Sequence, residues 1–277
     1  MDLFYGTAPW IAPTVFVLLI LAGIEAGYRL GRRALVKTGE KLRSQIAIVE
    51  GALVGVLGLL LAFTMSMAVT RFETRKQLVL EHANAIGTSY LRTKLLPASD
   101  GAEIADRLRD YVDVCLNLVA AGEDHEKRQA LRGLAERLQH QFWGRASAYG
   151  QKDPNPVRAG LLLQSLNQVI DLEAARWMAF HNHVPSAVIY LNAIVALLTM
   201  TLVGYAFGID GVHHVFSMYL LGVAITVVLA VVVDLDRPSR GFIHVSQQPI
   251  IDLQHQLSAE QHSQVQAPGT SSAFFLK

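Results

Sequence analysis

The sequence predicts an all-α integral membrane protein: four transmembrane helices, a helical polar region between the second and third, and a second helix that continues out of the membrane. Three observations predict it. Of 277 residues, 52% are apolar and only 17% charged, with a mean hydropathy of +0.32, whereas an ordinary soluble domain is about 25% charged. Four stretches approach the roughly 20 apolar residues needed to cross about 30 Å of hydrocarbon as a helix. No proline interrupts the chain between Pro13 and Pro97, so nothing stops the second span where the membrane would end.

Residues 8–30 form the first span, apolar as far as Glu25. Its N-terminal flank lacks a basic n-region and a small-residue cleavage site, so it is expected to be retained as a span. Residues 47–70 contain only Glu50, 184–209 are uncharged until their edge, and 215–233 are uncharged throughout. A helical pattern continues past Thr70 with Phe72, Val79, Ala83, Ile86 and Tyr90 on one face. A single helix from Gln45 to Leu96 would be about 80 Å long. Such a projecting helix needs packing neighbours, from its own chain or around a symmetry axis in an oligomer.

The polar region reads as further helices. Ile104, Leu108, Tyr111, Cys115, Leu118 and Val119 recur at spacings of three and four, as do Leu131, Leu134, Leu138 and Phe142. After the breaker Asp153-Pro154-Asn155-Pro156, Leu162, Leu166, Val169, Ile170 and Trp177 form a third stripe that runs towards Pro185. From Leu257 onwards the chain is rich in Gln, Ser and His, a composition expected to be disordered. The resulting division is 1–70, the first helix pair; 71–183, a helical region; 184–236, the second pair; and 237–277, a C-terminal segment disordered from about 257.

Composition excludes several functions. A formal charge of +1 provides no basic excess with which to displace phosphate counterions, so no nucleic-acid partner is expected. Cys115 is the single cysteine, which rules out an intramolecular disulfide and a cysteine-only zinc site. No GxSxG, HExxH, Walker A or GxGxxG occurs in a suitable context, and no nucleophile is paired with its base. The chain is read as a non-enzyme with no cofactor and no metal.

The residues that could act in the membrane are few. Glu25 precedes Arg29 by four residues, a helical pairing position, and Glu50 opens the second span. Multiplied by symmetry, the two carboxylates would ring a pore mouth; singly, they snorkel or pair. Gly51, Gly55, Gly58 and Ala62 leave one face of the second span almost bare, the usual mark of close helix packing. Beside them Leu59, Phe63 and Met67 step at intervals of four, and around an axis they would stack into apolar rings that constrict a pore.

His181-x-His183 and His213-His214 lack a ligand-like Cys or carboxylate and read as interfacial histidines. Asp234 and Asp236 could hold a hard cation or, more simply, pair with Arg237 and Arg240. Asn167 and Asp171, on one helical face near Arg176, suit a polar structural junction. The positive-inside rule is divided: Arg29, Arg32, Arg33, Lys37, Lys41 and Arg43 favour a cytoplasmic first loop, while Arg71, Arg75, Lys76, Arg176, Arg237 and Arg240 favour a cytoplasmic polar region.

Two stretches resemble a known family. Leu59-Leu60-Leu61-Ala62-Phe63, followed by Arg71-Phe72-Glu73-Thr74-Arg75-Lys76 and the run Glu81 to Arg92, is similar to the second membrane helix of bestrophin-type channels and its cytosolic continuation. Val233-Asp234-Leu235-Asp236-Arg237-Pro238 through Leu253 resembles the segment by which those channels leave their fourth span. Together with Val49-Glu50-Gly51-Ala52 and His183-Val184-Pro185, the pattern resembles the bacterial bestrophin-like membrane proteins over roughly residues 45–255.

That resemblance implies a homopentamer in a bacterial inner membrane, multi-pass, with both termini and the large helical region cytosolic. The second helix of each subunit would line a central pore for small inorganic ions. By position relative to Arg71, the family's hydrophobic neck falls on Gly55, Leu59 and Phe63, with Met67 below. Gly55 departs from the family's bulky neck residue, and the acidic calcium-binding run of animal bestrophins is replaced here by Arg237, Ser239, Arg240 and Gly241. Calcium gating is therefore not expected. Glu25 and Glu50 would favour cations at the pore mouth, Arg71 and Arg75 anions. The alternative expectation is a non-conducting membrane scaffold or signalling protein whose cytosolic helices bind a partner.

Overall fold

In a computed structural model of the chain, the residues described are 10–34, 39–122, 124–153, 156–211, 215–237 and 242–266. All regular structure among them is α-helical: α1 (Ile11–Ala34), α2 (Glu40–Thr93), α3 (Ala98–Ala120), α4 (His125–Gly150), α5 (Pro156–His181), α6 (Ser186–Asp210), α7 (Val215–Asp236) and α8 (Gln248–Gln266). Four helical stretches are long and apolar enough to cross a membrane: Ile11–Ala34, Glu40–Thr93, Pro156–Asp210 and Phe216–Asp236. The third contains a break at residues 182–185, where Pro185 caps α6. The chain divides into two compact units, Met1–Glu73 with His181–His244, and Thr74–Phe180 with Val245–Lys277. α2 contributes to both, and α5 lies in the second except for its last residue, His181.

The first unit is organised by glycine. Gly23, Gly27 and Gly31 recur every four residues on α1, and Gly204 and Gly208 do so on α6. A Cβ built at Gly27 would stand 2.0 Å from the Thr201 carbonyl oxygen, one at Gly31 2.1 Å from that of Tyr205, and one at Gly204 2.1 Å from that of Ile24. The two backbones therefore touch, which side chains would forbid and which membrane helices use in place of a hydrophobic driving force. Gly222 admits Ile20 and Ile24 against α7 in the same way, its Cβ position lying 2.8 Å and 3.0 Å from their methyl carbons. Ile20, Ile24, Tyr28, Leu57, Leu61, Met200, Val203 and Met218 fill the interior. Val15, Leu18, Ile194, Leu198, Leu220 and Val227 remain on the outside, a surface suited to lipid.

Asn192 on α6 makes a polar tie to the apolar part of α2. Its Nδ2 donates to Thr64 Oγ1 at 2.9 Å and to Val188 O at 2.8 Å, while Thr64 donates to Leu60 O at 2.7 Å. At one end of the unit the Asp236 carboxylate, fully buried, accepts the Val184 N–H at 2.9 Å, and His183 Nδ1 meets the Asp236 carbonyl at 3.0 Å. These contacts join the start of α6 to the end of α7.

The second unit is a soluble-type core. The stripe expected on α2 is buried at Val79, Ala83, Ile86 and Tyr90, where it packs with Ile104, Leu108, Tyr111 and Cys115 of α3, Leu138 and Phe142 of α4, and Leu162, Leu166 and Val169 of α5. The sequence stripes err at their ends: Val119 and Leu134 are exposed, and Ala135 takes the buried place beside Leu138. The C-terminal segment also differs from expectation. Order does not end near Leu257, because Ile250, Leu253 and Leu257 form a helical stripe that is buried in the same core and carries α8 to Gln266. Lys94 Nζ to Glu260 Oε2 at 2.6 Å and Gln254 Nε2 to Asp113 Oδ1 at 2.6 Å fasten its flanks.

Candidate functional site

Within the first unit α2 meets its own chain along one narrow seam. Leu57, Leu61, Thr64 and Ala68 are buried, at spacings of four, three and four. Gly51, Ala52, Gly55, Gly58, Leu59, Ala62, Phe63 and Ser66 are all exposed. Leu59 is 58% and Phe63 62% exposed, and a Cβ at Gly51, Gly55 or Gly58 would meet nothing within 4 Å. The bare stripe that the sequence marked for close packing is thus open among the described residues. The close packing is made instead by the α1 and α6 glycines, which sequence reasoning passed over although they show the same four-residue spacing.

Gly55, Leu59 and Phe63 lie on successive turns of the open face. Met67, a further turn on, has rotated away: a step of four gains about 40° per turn on a helix of 3.6 residues, and Met67 packs partly buried against Ala68, Val184, Ile189 and Val232.

Among the charged candidates, Glu25 is held by Arg29, whose Nε lies 2.7 Å from Oε1, and by the Tyr219 hydroxyl at 3.4 Å from Oε2. Glu50 is partly exposed at the start of the apolar stretch, within electrostatic reach of Asp210, which pairs with Arg43 at 3.8 Å. Arg71 donates to Asn182 Oδ1. Arg75 is buried, only 6% exposed, and donates from Nε to Ala179 O at 3.0 Å.

The remaining polar motifs serve structure. Asp234 accepts the backbone N–H groups of Phe242 and Ile243, each at 2.9 Å. Arg240 and His213-His214 lie outside the described residues. His183 is engaged by Asp236, and Asn167 accepts from Trp143 Nε1 at 2.9 Å. Among the described residues no three His, Cys, Asp or Glu side chains come together in a metal-like group.

Arg176, expected with Asn167 and Asp171 to order a polar junction, makes its contacts inside the second unit. It reaches from α5 to His82 Nδ1 at 2.6 Å and to Gln247 Oε1 at 3.2 Å. Burial, helped by Arg176, pushes the His82 imidazole well below its usual pKa, so it is neutral.

Comparison with known proteins agrees with this architecture. The Bestrophin-like domain profile matches residues 14–250. The crystal structure of a membrane protein superposes with a TM-score of 0.65 at 14% identity, covering 90% of this chain and 98% of the other. A bacterial bestrophin homologue from Klebsiella pneumoniae superposes at 0.63 and 16% identity, covering 90% and 97%; a point variant of a Klebsiella homologue gives 0.63 and 16%, covering 87% and 98%. At such identities the likeness is one of fold. No curated protein matches. With most of its length matched by the family's profile and its helices arranged as in these homologues, the chain belongs to the Bestrophin-like family.

Proposed function

We propose that the chain is one subunit of a homopentameric ion channel in a bacterial inner membrane, with the open face of α2 lining the pore and the neck formed at Leu59 and Phe63. The observation that carries this reading is the exposed apolar line on α2 in a chain that otherwise buries its glycine faces tightly. A helix that leaves Leu59 and Phe63 uncovered and Gly55 bare is suited to face either lipid or copies of itself, and family membership favours the copies. Around an axis, Leu59 and Phe63 become two apolar rings, which gate by excluding water. Gly55 adds no side chain, so this neck is shorter than one built from three bulky residues.

Residues 1–70 and 184–236 form the membrane part, with 71–183 and the C-terminal segment cytosolic. Glu25 and Glu50 at one mouth and Arg71 at the other bias the permeant ion; Arg75, engaged with Ala179, is set aside. The small ions and the lipid bilayer are the other partners, and the chain performs no covalent chemistry. Single-channel recording in planar bilayers tests the reading. Phe63→Ala removes one ring and is expected to raise unitary conductance, and reversal potentials in asymmetric salt assign the sign of the ion. Silence from intact pentamers of both proteins would overturn the proposal in favour of a membrane scaffold.

A further inference from the structure

The centre of the second unit is a closed polar relay. A guanidinium only donates, so the 2.6 Å contact of Arg176 Nη1 with His82 Nδ1 makes Nδ1 the lone-pair nitrogen. Nε2 then carries the hydrogen and donates to the Tyr111 hydroxyl at 3.1 Å. That oxygen also accepts Gln139 Nε2 at 3.2 Å. His82 and Tyr111 are completely buried. Arg176 reaches outward with its other nitrogen to Gln247, the residue before α8.

We propose that His82, Arg176 and Gln247 form an acid-released latch that fastens α8 to the second unit: protonation of His82 expels Arg176 and, with it, the contact to Gln247. An imidazolium would point an N–H from Nδ1 at a guanidinium N–H 2.6 Å away, two donors and two positive charges with no acceptor between them. The groups facing His82 offer no compensation. From α3 come Tyr111, pushed well above its usual pKa by burial, and Cys115, pushed up to about 11, both neutral. From α4 comes Gln139, with Arg132 and Glu136 further out. From α5 come Arg176 itself and Glu173, whose carboxyl burial raises against the pull of Arg132 and Arg176. Ahead of α8 stands Gln247.

The latch opens by linkage. An exposed imidazole titrates near 6.5, so the opened state takes up a proton that the closed state refuses, and the opening constant rises by a factor of 1 + 10^(6.5 − pH), about tenfold at pH 5.5 and about thirtyfold at pH 5.0. Glu173 acts in the opposite sense, since its raised carboxyl is protonated first in the closed state.

Hydrogen exchange of the full-length protein in detergent micelles, corrected for the intrinsic pH dependence of amide exchange, tests the latch. Opening of α8 in the wild type is expected to rise about tenfold between pH 7.5 and 5.5. His82→Gln keeps an acceptor for Arg176 and a donor for Tyr111 but cannot be protonated, so its α8 exchange should stay flat. Gln247→Ala, at a partly exposed position, should raise α8 exchange already at pH 7.5 and abolish its pH dependence while residues 74–93 keep theirs. A flat wild-type profile, or an undiminished α8 response in either variant, overturns the proposal.

Discussion

Gly27→Ala is the sharpest test of how the membrane part is built. The added Cβ would stand 2.0 Å from the Thr201 carbonyl oxygen and 3.0 Å from the Tyr205 nitrogen. A carbon tolerates a carbonyl oxygen at about 3.3 Å, so α1 and α6 must part locally by about 1.3 Å. A gap of about 1 Å forfeits roughly half of the dispersion attraction of each atom pair across it. Because Gly31, Gly204 and Gly208 close just as tightly along the same line, the loss is shared by the whole contact.

Overpacking of this kind costs about 3 kcal/mol, and alanine's better helix propensity returns about 1 kcal/mol. The net destabilisation of about 2 kcal/mol should lower Tm by about 4–8 °C. Tryptophan fluorescence during thermal unfolding of the purified protein measures it. Gly144→Ala, an exposed helical position with nothing within 4 Å of its Cβ, is the control and should leave Tm unchanged or slightly higher. A Gly27→Ala protein as stable as wild type would refute backbone contact between α1 and α6.

Three further outcomes follow from the packing. Asn192→Val should lower stability by about 1 kcal/mol, since hydrogen bonds between membrane helices average about 0.6 and reach about 1.7 kcal/mol; the same thermal assay reads it, and no change would deny the tie to Thr64. Cys115, buried and with its thiol pushed up to about 11, should resist maleimide at pH 7.5 in the native protein and label fully once denatured, because only the thiolate reacts. Leu257→Ala should cost about 2–4 kcal/mol of local packing and speed proteolytic removal of α8; unchanged digestion would mean that α8 is held by its polar flanks alone.

Much of this was legible in the sequence, and the gaps have physical causes. The continuous α2 and its buried stripe could be read because period and absence of proline are local properties. Which stripe touches which is not local. Gly51, Gly55, Gly58 and Ala62 carry the same small-residue signature as Gly23, Gly27 and Gly31, yet among the described residues only the latter meet a close partner, and spacing cannot reveal that. Leu257 was lost because its polar neighbours outweighed three apolar residues on one face of α8. The bonds from the Phe242 and Ile243 N–H groups to Asp234 leave no periodic trace in the sequence. His82 drew no notice, for a histidine on an apolar stripe acquires meaning only when Arg176, distant in sequence, arrives beside it.

That the open face of α2 lines a conducting pore is the central claim, and thiol block of current tests it most directly. In a Cys115→Ala background, Phe63→Cys and Leu19→Cys are compared in planar bilayers before and after a charged methanethiosulfonate reagent is added to the aqueous phase. The account predicts rapid block through Cys at position 63 and none through position 19, which is exposed on α1. Currents untouched by modification at position 63, or blocked equally from position 19, would contradict it.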